Sequence, residues 1–100
     1  MRSANDLSPM LAAMDLVGQR WILRLLWELE PGPLGFLELR RRVGNCSSSV
    51  LSERLQQLQT AWIIEKDANA QYELTPKGVE LGVALEPLWN WSERWSKLGK

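Results

Sequence analysis

In the stretch GNCSSSVLSERLQQL, Leu51, Leu55 and Leu58 mark one side, and Ser49, Ser52, Glu53 and Gln56 fall on the other. At about 100° per residue this is a two-faced helix. Gly44-Asn45 forms a turn pair ahead of it, and Ser47 is suited to cap it. A serine hydroxyl at that position can accept from a backbone N–H of the first turn. Upstream, Ile22, Leu25, Leu26 and Leu29 make an i, i+3, i+4, i+7 stripe in RWILRLLWELE. This predicts a helix taking up near Arg20 and stopped by Pro31-Gly32-Pro33. Ser8-Pro9 reads as an earlier helix start, with proline at the first helical position and Gly18 closing the helix. LGFLELRRRV fits a short helix with Phe36, Leu39 and Val43 inward, leaving Glu38, Arg40 and Arg41 toward water.

After Leu58 the period changes. WIIEK and QYELT are short and β-prone, and DANA between them is a tight polar turn, so a small hairpin is expected. Thr75-Pro76 opens a last helix, threonine as cap and proline at the first position. Leu81, Ala84, Leu88, Trp91, Trp95 and Leu98 follow at heptad-like spacing, and Pro87 predicts a kink or break near Glu86. Helix, turn, helix and hairpin in this order make a winged helix-turn-helix, mainly α with a two-stranded wing. The helix-turn-helix spans about 35–60, the wing about 62–74 and the C-terminal helix about 76–98 of a single domain over 1–100. In such a fold the helix after the turn lies in the major groove of DNA.

One hundred residues, 45% of them apolar, are enough for one core. A chain of this size buries only about 60–65% of its unfolded surface, so a partner surface would help it. Twelve basic and twelve acidic residues cancel, which argues against a protein that coats nucleic acid by charge alone. Charge can still be local. Between Phe36 and Lys66, Arg40, Arg41, Arg42, Arg54 and Lys66 outweigh Glu38, Glu53 and Glu65. With no histidine, no nucleophile–base pair and no metal-ligand spacing, neither an enzyme nor a metal or cofactor site is expected. Cys46 is alone and makes no internal disulfide. No run is apolar for the roughly 18 residues of a membrane span, and the start lacks a signal peptide's layout, so a cytoplasmic protein is expected.

The chain resembles the HxlR-type winged helix-turn-helix family of bacterial transcriptional regulators. MDLVGQRWILRLLWEL carries the family's G-x-x-W at Gly18 and Trp21. GFLELRRRV matches its R-F-x-E-L segment through Phe36, Glu38 and Leu39. SSSVLSERLQQLQ is similar to its S-x-x-x-L-x-x-x-L-x-x-L recognition helix, YELTPKGVEL to its Y-x-L-T-x-x-G-x-x-L, and Trp91 falls where tryptophan is frequent. The resemblance implies sequence-specific binding to double-stranded DNA as a homodimer, on a palindromic operator, with dimerisation through the terminal helices. The chain also departs from the family. Ser8-Pro9 stands where members often have Cys-Pro, so the oxidant-sensing thiol of some members has no counterpart at that position. Trp62 replaces the glycine before the wing, and DANA is a short wing turn.

The candidate DNA-binding residues are Arg40, Arg41 and Arg42 ahead of the turn, Ser47, Ser48, Ser49, Ser52, Glu53 and Gln56 on the reading helix, and Lys66 in the wing. Three successive arginines on a helix point about 100° apart, so only one or two can reach phosphate together. The dimer interface would use Leu11, Met14, Leu81, Leu88, Trp91, Trp95 and Leu98. Tryptophans at helical spacing favour core or interface over a ligand box, though an aromatic cleft at the interface could also take a small-molecule effector. Cys46 stands where the family has an apolar turn residue, which makes it a small buried group in preference to a reactive thiol. The alternative reading is a winged helix kept for protein contacts, with weak or lost DNA binding.

Overall fold

A computed structural model describes residues 4–98. It contains α1 (Ala4–Val17), α2 (Ile22–Leu29), α3 (Phe36–Val43), α4 (Ser48–Thr60), β1 (Ile64–Lys66), β2 (Tyr72–Leu74) and α5 (Pro76–Leu98). This is the winged helix-turn-helix that the pattern predicts. The core is the set of stripes read from the sequence. Ile22, Leu25, Leu26 and Leu29 of α2 meet Leu39 and Val43 of α3, Leu51, Leu55 and Leu58 of α4, and Ile64 and Tyr72 of the wing. α2 lies at the centre, touching α1, α3, α5 and β2.

The helix starts differ from expectation in two places. α1 is already helical at Ala4, so Pro9 stands inside it instead of opening it. A proline there removes one i→i−4 hydrogen bond, and the alanines, leucine and methionines around it are strong helix formers. α2 starts at Ile22 instead of near Arg20, because Trp21 takes a left-handed φ of 82°. Gly18 ends α1: its N–H donates to the Met14 carbonyl at 2.8 Å, and a Cβ there would stand 2.7 Å from that oxygen. α5 runs unbroken from Pro76 to Leu98 with Pro87 inside it, so the expected interruption near Glu86 is not a break. Leu81 and Leu85 of α5 pack on the core, which holds the helix in place ahead of the proline.

The wing pairs antiparallel, with Ile64 opposite Leu74, Glu65 opposite Glu73 and Lys66 opposite Tyr72. Leu34 adds a single-residue bridge to β2 that the pattern does not reveal: Leu34 N–H donates to the Tyr72 carbonyl at 3.0 Å and Tyr72 N–H donates back at 2.8 Å. The turn is closed by Asp67, whose carboxylate accepts from the N–H of Asn69 and of Gln71. Ala70 completes it at φ 60°. Thr75 then caps α5, accepting from Gly78 N–H at 3.1 Å while its hydroxyl donates to the Ile63 carbonyl. α5 crosses the wing so closely that a Cβ on Gly78 would lie 2.1 Å from that carbonyl oxygen.

Two substitutions separate turn strain from close packing. Ala70→Gly should raise the urea midpoint, by up to about 1 kcal/mol of stability, because glycine adopts the left-handed region without a Cβ clash. Gly78→Ala should lower it by about 2–3 kcal/mol, the cost of forcing α5 away from the wing. Equal midpoints for Gly78→Ala and wild type would contradict the contact.

Candidate nucleic-acid interface

α4 follows α3 after a four-residue turn, Gly44–Ser47. Gly44 takes φ 79°, and its N–H donates to the Arg40 carbonyl at 3.1 Å. Cys46 plugs the turn into the core at 3% exposure. Burial raises its thiol pKa, against the opposing pull of the nearby Arg54, Arg20 and Arg40 charges. The sulfur is therefore held as a neutral thiol, the small apolar group expected at this position. Ser47 caps α4, its Oγ accepting from Val50 N–H at 3.2 Å and lying 3.4 Å from Ser49 Oγ.

With Leu51, Leu55 and Leu58 turned inward, Ser48, Ser49, Ser52, Glu53 and Gln56 are all exposed. Ser47 is exposed beside them, though its hydroxyl is engaged in the cap. The face thus offers neutral hydroxyls, one amide and one carboxylate. Gln56 lies one turn from Thr60, with Nε2 3.4 Å from its hydroxyl. Arg54 turns away from the face and donates from Nε to the Arg20 carbonyl at 2.9 Å.

The three arginines of α3 separate as helical geometry requires. Arg41 and Arg42 both donate to Glu38, Arg42 from Nε at 2.8 Å. Arg42 also reaches Glu28 at 3.5 Å, and Glu28 takes Arg24 at 2.8 Å. Arg24 Nη2 donates in turn to the Arg42 carbonyl at 2.7 Å, fastening α2 to the end of α3. The two guanidiniums beside Glu38 hold its carboxyl down at about 2, from an ordinary 4.5, and raise the pKa of Arg41 and Arg42 in return. Arg40 is exposed and has no side-chain partner among the described residues.

In the wing, Lys66 is exposed and its ammonium lies 5.1 Å from the centre of the Tyr72 ring. Glu65, Asp67 and Glu73 lie in the same hairpin, which therefore carries more negative than positive charge. Two residues that the sequence did not single out stand by this surface. Leu37 is 78% exposed and lines a surface notch with Arg40, Arg41 and Gly44. Its i, i+3, i+4, i+7 relation to them was the available signal. Arg20 is exposed over the Trp21 ring at 4.6 Å, and only the fold brings it to α4.

The expected dimer residues lie elsewhere. Leu11 and Met14 of α1 are exposed, as are Leu88, Trp91 and Trp95 of α5. Trp91 and Trp95 stack at 5.5 Å with ring planes 8° apart. Leu81 is half-buried against the core, and the side chain of Leu98 lies outside the described residues. Trp27 and Trp89 meet edge to face at 5.3 Å between α2 and α5. Among the described residues no group of three or more acidic, cysteine or histidine side chains could hold a metal. No helix there is long and apolar enough to cross a membrane.

A family model described as HxlR-like helix-turn-helix matches residues 16–100. YvaP of Bacillus subtilis (strain 168), described as an uncharacterized HTH-type transcriptional regulator, is 30% identical over 89 residues, covering 83% of this chain and 82% of its own. The HTH-type transcriptional regulator YodB of the same organism is 28% identical over 102 residues, covering 95% of this chain and 91% of its own. The crystal structure of quinone-bound YodB is similar at a TM-score of 0.81 and 30% identity, covering 87% of this chain and 97% of that one. These relatives are transcriptional regulators, not enzymes.

The Glu38 network sets a pH dependence. A carboxyl whose pKa is lowered by folding contributes stability that is full above about 4.5 and lost as pH falls toward about 2. Glu38→Gln should therefore flatten the fall of the urea midpoint across that window, and leave its slope above pH 5 unchanged. Identical pH profiles for the two proteins would remove Glu38 from the account.

Proposed function

The chain belongs to the HxlR-like helix-turn-helix family, and from that premise we propose that it regulates transcription as a homodimer binding a specific, palindromic double-stranded DNA operator. The observation that carries this reading is the capped helix α4. It presents Ser48, Ser49, Ser52, Glu53 and Gln56 to solvent, after a turn that follows the exposed Arg40, which has no side-chain partner among the described residues. Hydroxyl and amide side chains can bond base edges or phosphate oxygens, and the free N–H groups of a helix start favour phosphate. Arg40 supplies a phosphate contact, with Arg41, Arg42 and Lys66 available to add to it at the expense of their present partners. The described residues act as one winged domain, working in the cytoplasm where DNA is reached. YodB has been solved with a quinone bound, and a small-molecule effector is part of the proposal for this chain too.

Dimerisation is supported by apolar side chains on both terminal helices. Leu11, Met14, Leu88, Trp91 and Trp95 place large hydrophobic groups in water, a cost that a second copy removes. The acidic wing favours a second reading, in which this winged helix contacts protein instead of DNA. Duplex binding separates the two.

Selection from genomic fragments at near-physiological salt should recover a palindrome with half-sites about 10 bp apart, centre to centre. Arg40→Ala should weaken binding evenly across sequences and reduce the slope of log K against log salt by about 1. Absence of enrichment at any salt would favour the protein-contact reading. Separately, Trp91→Glu with Trp95→Glu should yield a folded monomer in sedimentation experiments; a dimer persisting in that variant would place the interface elsewhere.

A further inference from the structure

The reading face of α4 contains a carboxylate, and a carboxylate is repelled by the DNA backbone. Glu53 is nonetheless exposed there, its side chain 66% accessible, with Ser49 one turn before it and Gln56 three residues after. It is also held. Its Oε1 accepts from Arg54 Nη1 at 3.1 Å, and Arg54, only 17% accessible, is anchored through Nε to the Arg20 carbonyl and lies 3.4 Å from Gln57 Oε1. Among the described residues Glu53 Oε2 has no partner. The arrangement engages one oxygen and leaves the other, on an exposed side chain, as a bare acceptor.

We propose that Glu53 is a specificity residue that selects cytosine in each half-site of the operator. The argument rests on the DNA-reading function above and on the chemistry of the base edges. An ionised carboxylate only accepts hydrogen bonds. In the major groove guanine presents N7 and O6, both acceptors, and thymine presents O4, also an acceptor. Adenine offers its N6 amine, but N7 beside it is another acceptor that faces the same carboxylate. Cytosine alone offers an amine, N4, with no acceptor of its own next to it. Arg54 offsets part of this charge at Oε1, while the neighbours Ser49, Ser52 and Gln56 are neutral and add no further cation to the face. The carboxylate therefore works by exclusion as much as by attraction, rejecting guanine and thymine and repelling non-specific phosphate.

The test compares wild type with Glu53→Gln, an exposed and isosteric change, in the same genomic-fragment selection. Titrations then follow on the recovered operator and on versions with each base pair replaced. Wild type should require cytosine at one position of each half-site. Glu53→Gln should lose that preference or turn it toward adenine, whose N6 and N7 suit a glutamine amide. Discrimination at that position should fall about tenfold, and binding to unrelated duplex should tighten severalfold as repulsion is removed. The same base preference at every position in both proteins would overturn the assignment and leave Glu53 as an anchor for Arg54. Specific binding by wild type without a required cytosine would overturn it as well. Failure of wild type to enrich any duplex would overturn the DNA-reading function itself, and this inference with it.

Discussion

Burial of one short helix governs the rest of this molecule. α2 has eight residues, as does α3, and helices of that length are not stable alone in water. They exist because Ile22, Leu25, Leu26 and Leu29 are withdrawn from solvent together, each worth about 1.5–3 kcal/mol relative to exposure. Since α1, α3, β2 and α5 all rest on α2, the direction of its buried stripe fixes theirs. α4 is fixed at one remove, through Leu51, Leu55 and Leu58 in the same core and through the Arg54 bond to the Arg20 carbonyl. The left-handed Trp21 sets where α2 begins, so a residue outside α4 helps to aim the helix proposed to read DNA.

Several of the guanidiniums are held within the protein. Arg24, Arg41 and Arg42 bind Glu28 and Glu38 across the α2–α3 junction, and Arg54 binds a backbone carbonyl and Glu53. These are mostly exposed pairs, so their effect on stability is small. Their structural effect is on the guanidiniums near α4: among the described residues Arg40 of α3 keeps no side-chain partner, and Arg20 lies over Trp21. A surface with so few free cations, next to an acidic wing, attracts DNA weakly at long range. Under the proposed function, such a regulator would draw more of its binding from base contacts than from phosphate contacts, which suits the hydroxyl-rich and carboxylate-bearing face of α4.

What could be read from the chain was what local chemistry decides. The Ser47 cap, the Thr75-Pro76 start, the leucine stripes of α2 and α4 and the burial of Cys46 depend on spacing or on residue type, and each is where the pattern placed it. What could not be read depends on residues far apart in sequence. The Leu34 rung on Tyr72 joins positions 38 apart and needs no β signature in Leu34 itself. The contact of Arg42 with Glu28 and the bond of Arg24 to the Arg42 carbonyl join α2 to α3 and need the fold, whereas the pairs of Glu38 with Arg41 and Arg42 are local relations along one helix. Ser8-Pro9 carries a local start signal, but the helix formers on both sides of it carry α1 through the proline from Ala4. Trp62, where the related family has glycine, indeed takes a left-handed φ of 62°, so the departure in sequence is tolerated as strain and not as a change of path.

The last helix shows why oligomerisation and reading are hard to separate in so small a chain. On one side of α5, Leu81 and Leu85 enter the core and Trp89 stands against Trp27 of α2. On the other, Leu88, Trp91 and Trp95 are in water. The same rigid element therefore borders the central helix and carries the surface that a second copy would cover. Weak attraction per subunit makes a second half-site valuable, because the second contact is made at high effective concentration. That gain requires two α4 helices held at a fixed separation, which a loose pair of domains does not provide. A 23-residue helix fastened to the core at one end and exposing stacked tryptophans at the other is a means of providing it. In the proposed dimer the low charge of the DNA face and the apolar excess of α5 serve one requirement: each half would bind weakly, and the geometry of the pair would supply the rest.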